Sequence, residues 1–396
     1  MAQDPSRPLD RFGERTRLVH AGREPFEQHG FVNTPIYRGS TVLYPSTEEF
    51  LQRRNTKFTY GTAGTPTIAS LETAWSGLAG AADTVLTPSG LAAITIALMT
   101  ACAAGDHLLV PDSVYRPTRI FCDGVLKRFG VETTYYDPLI GTGIEALFRP
   151  NTTAVVTEAP GSQTFEMQDI PAIAAVAHQR GAAVLMDNTW ATPLFFPPHA
   201  MGVDIAIEAG TKYLSGGSDL LLGLTSANEA WAKRLRQTFN AFAMCAGPED
   251  VFLGLRGLRT MALRLKEHEK QALEMARWFE GRPEVARVLH PALESDPGHA
   301  IWKRDFKGSS GLFSIVLKEA SPAAVAAMVD GLELFGIGAS WGGFESLVLP
   351  FDPRAYRTAT RWEAAGPALR FHIGLEDLED LKADLEAGFA RLRATA

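Results

Sequence analysis

The sequence predicts an α/β protein: a mostly parallel sheet with helices on both faces, a smaller α+β domain after it, and an extended arm before it. Three observations carry this. From about residue 66, short apolar runs alternate with helical stretches, the spacing of strand–helix units in a parallel sheet. Several of the apolar runs end in an acid, a lysine or a Gly/Ser turn, where open sheets of this kind bind ligands. Beyond about residue 260 the alternation stops and a long helical segment begins.

Taken in order, residues 1–65 are rich in Arg, Gly, Pro and Thr and show little sustained periodicity. They read as an arm that cannot bury itself and therefore lies on another subunit. Residues 66–260 form the large domain. Its strands are expected at 84–87, 107–110, 132–136, 153–157, 182–187 and 205–208, with helices at 91–104, 117–129 and 170–180. Residues 261–396 form the smaller domain. A long helix centred on 253–280 should stop at Gly281-Arg282-Pro283, since glycine and proline break helices. Strand-like runs follow at 312–317 and 336–339, and an amphipathic helix at 375–394 closes the chain.

Composition bounds the function. The 396 residues are 46% hydrophobic and 21% charged, ordinary for a globular protein with a sizeable core. The net charge of -7, with no long basic run, argues against nucleic acid as a partner. Cys102, Cys122 and Cys245 are widely spaced with no CxxC pair, which suggests free thiols rather than zinc ligands or a disulfide framework. Residues 1–17 are polar and of mixed charge, and the longest apolar stretch, 91–104, is shorter than the roughly 20 residues of a membrane span. A cytoplasmic protein that does not enter a membrane is expected.

Three segments look chemical. In Glu208-Ala209-Gly210-Thr211-Lys212-Tyr213, a lysine follows a strand end amid small residues; alone, it could equally be a surface lysine in a turn. Asp187 ends an apolar strand. A carboxylate there needs a cationic partner, and a protonated pyridine nitrogen would serve; a plain helix cap is the alternative. Thr87-Pro88-Ser89-Gly90-Leu91 opens an apolar helix. Ser89 suits an N-cap, and the free N–H groups behind it suit an anion. A capped helix without a ligand remains the other reading.

Together, Thr211-Lys212-Tyr213, Asp187-Asn188-Thr189-Trp190, Ser89-Gly90-Leu91 and Tyr115-Arg116-Pro117-Thr118-Arg119 resemble the Cys/Met-metabolism family of fold-type I pyridoxal-phosphate enzymes. The resemblance runs over roughly residues 15–390. Within the family, the loop from Glu158 to Glu166, Trp190, and Ser340-Trp341-Gly342-Gly343-Phe344-Glu345-Ser346 resemble the β-lyases that act on cystathionine.

The resemblance implies an aminotransferase-like fold, pyridoxal 5'-phosphate as cofactor, a sulfur amino acid as substrate, and a homotetramer. It also implies roles. Lys212 holds the cofactor covalently and then moves the α-proton. Tyr115 stacks on the ring, and Asp187 keeps the ring nitrogen protonated. Ser89, Gly90, Leu91 and Thr211 bind the phosphate, and Tyr60 reaches a neighbouring subunit's phosphate and substrate site. Arg370 clamps the substrate carboxylate, assisted by Ser340 and Trp341; a guanidinium suits that bidentate task.

Three positions depart from the family pattern. Thr62 stands where an Arg usually follows the arm tyrosine, Ala209 where a Ser precedes Thr-Lys, and Gly217 where a His is common. The first two remove phosphate ligands, and Arg53, Arg54 and Lys57 are the nearest cations in sequence. The expected reaction is carbon–sulfur β-elimination of cystathionine. The alternatives are a γ-lyase, γ-synthase or racemase reaction, and a non-catalytic cofactor-binding protein.

Overall fold

A computed structural model describes residues 11–52, 57–364 and 366–395. Seven strands build the large sheet: β1 (Asp83–Thr87), β2 (His107–Pro111), β3 (Glu132–Tyr136), β4 (Thr152–Glu158), β5 (Ala183–Asp187), β6 (Ile205–Ala209) and β7 (Gly223–Ala227). Their order is β1-β7-β6-β5-β4-β2-β3. β7 runs antiparallel to both its neighbours and the other pairs are parallel. The central strands read as unbroken apolar runs, such as Ala183-Val184-Leu185-Met186, because both faces are covered. His107, buried in β2, is a satisfied core histidine, bonded through both ring nitrogens to Thr152 and Thr134.

A second sheet contains β8 (Val285–Leu289), β9 (Leu312–Leu317), β10 (Gly336–Ile337), β11 (Leu347–Phe351) and β12 (Ala368–His372). Its order is β10-β11-β12-β9-β8, antiparallel except between β10 and β11. It packs through Phe313, Ile315, Leu369 and Phe371 against the helices Met261–Glu280 and Leu378–Thr395. The fold is thus the expected α/β class with a smaller α+β part. The described residues contain no helix long and apolar enough to cross a membrane. All three cysteines are free.

The structure differs from the sequence expectations at several points. β7 was not anticipated: Gly223-Leu224-Thr225-Ser226-Ala227 has too few apolar residues, yet lies fully buried between β1 and β6. The helical stretch centred on 253–280 is two helices, Pro248–Leu258 and Met261–Glu280. At the break, Arg259 donates to the carbonyls of Leu18 and Ala21, capping the end of the helix Glu14–His20. That contact also corrects the picture of a wholly unpacked arm, since Leu18 is buried against Leu71, Trp75 and Met261. The stretch at 117–129 is a helix over Arg116–Phe121 that widens into a π turn at Cys122–Leu126. The strand expected at 336–339 covers only Gly336–Ile337, and the last helix starts at Leu378. Arg53 and Arg54 lie outside the described residues; Lys57 stands over the ring of Phe58.

Candidate active site

A cavity of about 250 Å³ opens where β4, β5 and β6 end, between the large sheet and the second sheet. Ser89, Gly90, Leu91, Tyr115, Asp187, Thr211, Lys212, Trp341 and Arg370 all line it. Ser340 joins through a direct bond to Lys212. Tyr60 does not: it is half exposed on the arm, bridged to Thr41, beside a separate groove formed with Tyr37, Gly61 and Cys245.

One end of the cavity is built for an anion. Ser89 caps the helix Gly90–Ala101, its hydroxyl accepting the N–H of Ala92 at 3.1 Å. The N–H groups of Gly90 and Leu91 are in the first turn and have no intrahelical acceptor. Gly90 is required by close packing: a Cβ there would lie 2.7 Å from the Ala209 Cβ. Ala209 therefore sets how near the helix start approaches β6, and its N–H is taken by the Thr189 hydroxyl at 2.9 Å. The Thr211 hydroxyl is engaged with the backbone of Leu222.

The floor is built for a cation. Asp187 Oδ1 accepts from the Thr189 N–H at 3.0 Å and its hydroxyl at 2.6 Å. Burial raises this carboxyl, while the Thr189 bonds and the Lys212 charge oppose the rise without cancelling it. No ammonium or guanidinium is hydrogen-bonded to it among the described residues. A cationic ring nitrogen would supply the missing partner.

Lys212 sits between two opposing charges. Its Nζ donates to Ser340 Oγ at 2.7 Å and lies 5.4 Å from the Trp341 ring. Burial, and after it nearby Arg370, lower its ammonium to about 8 against the opposing pull of Asp187. Arg370, on β12, is 7% exposed and donates to the Ser340 carbonyl at 3.1 Å. Burial lowers it to about 10, and it still carries its charge at neutral pH. A buried guanidinium with only carbonyl partners is suited to an incoming carboxylate.

Two residues of the β-lyase-like loop to which the sequence alone assigns no role of their own belong here. Glu158 is paired in register with Asp187 across β4 and β5, lines the cavity, and accepts the Tyr115 N–H at 2.8 Å. Burial, and then the Asp187 charge, raise it well above the usual carboxylate range. The signal was present: like Asp187, Glu158 is an acid closing an apolar strand. Gln163 also lines the cavity, in the left-handed region at φ +66°. Its carbonyl accepts from Ser314 Oγ at 2.7 Å and its Oε1 from the Tyr356 hydroxyl at 2.8 Å.

The second sheet's outer segment is tied to the large domain at Asp112. That buried carboxylate accepts the N–H groups of Thr358, Ala359 and Thr360 and the Thr360 hydroxyl, and pairs with Arg119. Burial alone would raise it, yet the Thr358 and Thr360 bonds and Arg119 hold it below its ordinary value.

An anion cradle, an exposed tyrosine ring, a carboxylate with no hydrogen-bonded cation among the described residues and a lysine of lowered pKa together fit pyridoxal 5'-phosphate. Comparison with known proteins agrees. A cystathionine beta-lyase of Escherichia coli is 41% identical over 95% of this chain and 98% of its own. An L-alanine/L-glutamate racemase of Wolbachia pipientis is 40% identical over 96% of this chain and 97% of its own. The crystal structure of a cystathionine gamma-lyase from Lactobacillus plantarum, complexed with L-serine, superimposes with a TM-score of 0.88 at 28% identity, covering 96% of this chain and 100% of that one. The pattern of the Cys/Met metabolism PLP-dependent enzymes matches residues 15–390, and the chain belongs to that family.

Proposed function

We propose that the protein is a carbon–sulfur β-lyase that cleaves L-cystathionine to homocysteine, pyruvate and ammonia. The observation that carries the reading is Lys212, held by Ser340 between Asp187 and Arg370 with its amine easily neutralised. Gly90, Leu91 and Thr211 hold the cofactor phosphate, Tyr115 covers the ring, and Asp187 takes the ring nitrogen. When bound, the cofactor draws electrons away from the substrate Cα. Arg370 binds the α-carboxylate and so turns the Cα–H bond toward Lys212. Neutral Lys212 Nζ takes the α-proton. The Cβ–S bond then breaks with its electron pair on sulfur, and Lys212, now an ammonium, is the proton source at hand for the departing thiolate. Trp190, Leu312 and Trp341 shield that proton exchange, and the 2-aminoacrylate that leaves is hydrolysed by one water to pyruvate and ammonia.

The β-lyase choice is supported by the Glu158–Glu166 loop, by Trp190 and by the Escherichia coli relative. Racemisation shares the α-proton step and is the second reading, favoured by the Wolbachia relative. Product analysis on cystathionine tests both. Pyruvate with homocysteine is expected; cysteine with 2-oxobutyrate would overturn the β assignment. D-amino acid formation without pyruvate would replace it with racemisation.

The arm's role follows from the same reading. Phe26, Phe31, Leu43 and Leu51 are all exposed, Leu43 by 86%, and Tyr60 lines a separate groove rather than its own chain's cavity. The arm is proposed to lie on a second copy, bringing Tyr60 to that copy's site within a homotetramer.

A further inference from the structure

Just outside the cavity wall stands a charge with no acidic partner among the described residues. Tyr356 reaches the rim through its bond to Gln163, and three guanidiniums act on it: Arg357, Arg116 and Arg119. Two are neutralised locally. Arg119 pairs with Asp112, and Arg357 with Glu166 at 2.7 Å. Arg116 is exposed, follows Tyr115 directly, and lies 5.8 Å from the Tyr356 ring centroid. Among the described residues no carboxylate is paired with it. Gln163 adds a donor: its Oε1 is taken by Tyr356, so its Nε2 hydrogens remain to be offered. Its backbone is fixed by Ser314, which keeps that amide in place.

We propose that Arg116 and the Gln163 amide receive a carboxylate at the far end of the sulfur substituent, so that the enzyme prefers S-substituted cysteines whose substituent carries a carboxylate. This rests on the elimination reading above. The substrate's α-carboxylate occupies Arg370, so a second carboxylate needs a second cation. Arg116 follows in sequence the tyrosine proposed to cover the cofactor, and no carboxylate is paired with it among the described residues. A guanidinium–carboxylate contact in a partly exposed site is strengthened by charge and weakened by salt.

The test compares pyruvate release from cystathionine, which has the distal carboxylate, and from S-ethylcysteine, which lacks it. Wild-type, Arg116→Gln and Arg116→Lys proteins are assayed at low and high salt. The ratio of kcat/KM for cystathionine over S-ethylcysteine should fall roughly tenfold in Arg116→Gln, mainly through KM. It should recover in part in Arg116→Lys, and added salt should narrow the wild-type ratio. An unchanged ratio in Arg116→Gln overturns the assignment while leaving the lyase reading intact. A wild-type protein that releases pyruvate from neither compound overturns the lyase reading, and this inference with it.

Discussion

Replacing Lys212 by Met should stabilise the cofactor-free protein, and by an amount that depends on pH. Burial depresses the folded-state lysine from its ordinary 10.5 to about 8. Between those values the unfolded chain binds more protons than the folded one, so wild-type stability rises with pH across that window. Below pH 8 the folded protein carries the full penalty, on the order of 3 kcal/mol for a shift of this size. Met removes the penalty at every pH. The advantage of Lys212→Met over wild type should therefore shrink by roughly 2 kcal/mol between pH 7 and pH 9.5. Denaturant unfolding of both apo proteins at the two values measures it. The same shift governs cofactor capture, which needs a neutral amine. At pH 7 the neutral fraction is about 300-fold larger than for an unperturbed lysine. The capture rate should level off above pH 8, and Arg370→Met should move that plateau to higher pH by removing a like charge. A stability advantage that is constant with pH, or a capture rate still climbing tenfold per unit at pH 10, would refute the reasoning.

Three further outcomes follow from the geometry. Gly90→Ala should weaken cofactor binding, because its Cβ would meet Ala209 at 2.7 Å; Gly90→Ala combined with Ala209→Gly should recover affinity in a cofactor titration. Glu158→Gln should leave affinity within about threefold, since the native acid is already held neutral. Glu158→Ala leaves the Tyr115 N–H unpaired at a loss of roughly 1–3 kcal/mol. Asp112→Ala should lower unfolding stability by about 3–5 kcal/mol, because it strands Arg119 and releases Thr358 to Thr360.

The strands around the site were legible because burial on both faces writes an apolar run, and because the acids and the lysine at their ends interrupt it. Asp187, Lys212 and the Ser89–Gly90 helix start each follow from that local grammar. β7 was not legible: its burial is imposed by β1 and β6 on either side, a tertiary fact absent from five small residues. Gln163 escaped for a similar reason, since it is placed by Ser314 and Tyr356, 151 and 193 residues away. Glu158 was readable by the same rule as Asp187. The arm helix was hidden because its single buried anchor, Leu18, is fixed by Arg259 and a distant apolar cluster.

Ser340 occupies the junction between Lys212 and Arg370. Its hydroxyl takes the proton donor of Lys212, rooted in the large sheet, and its carbonyl takes Arg370, rooted in the second sheet. On the proposed reading, a substrate carboxylate that competes for Arg370 competes with the carbonyl of the same residue that tethers Lys212. The carboxylate site and the base would then be coupled through Ser340 alone, one hydrogen bond on either side.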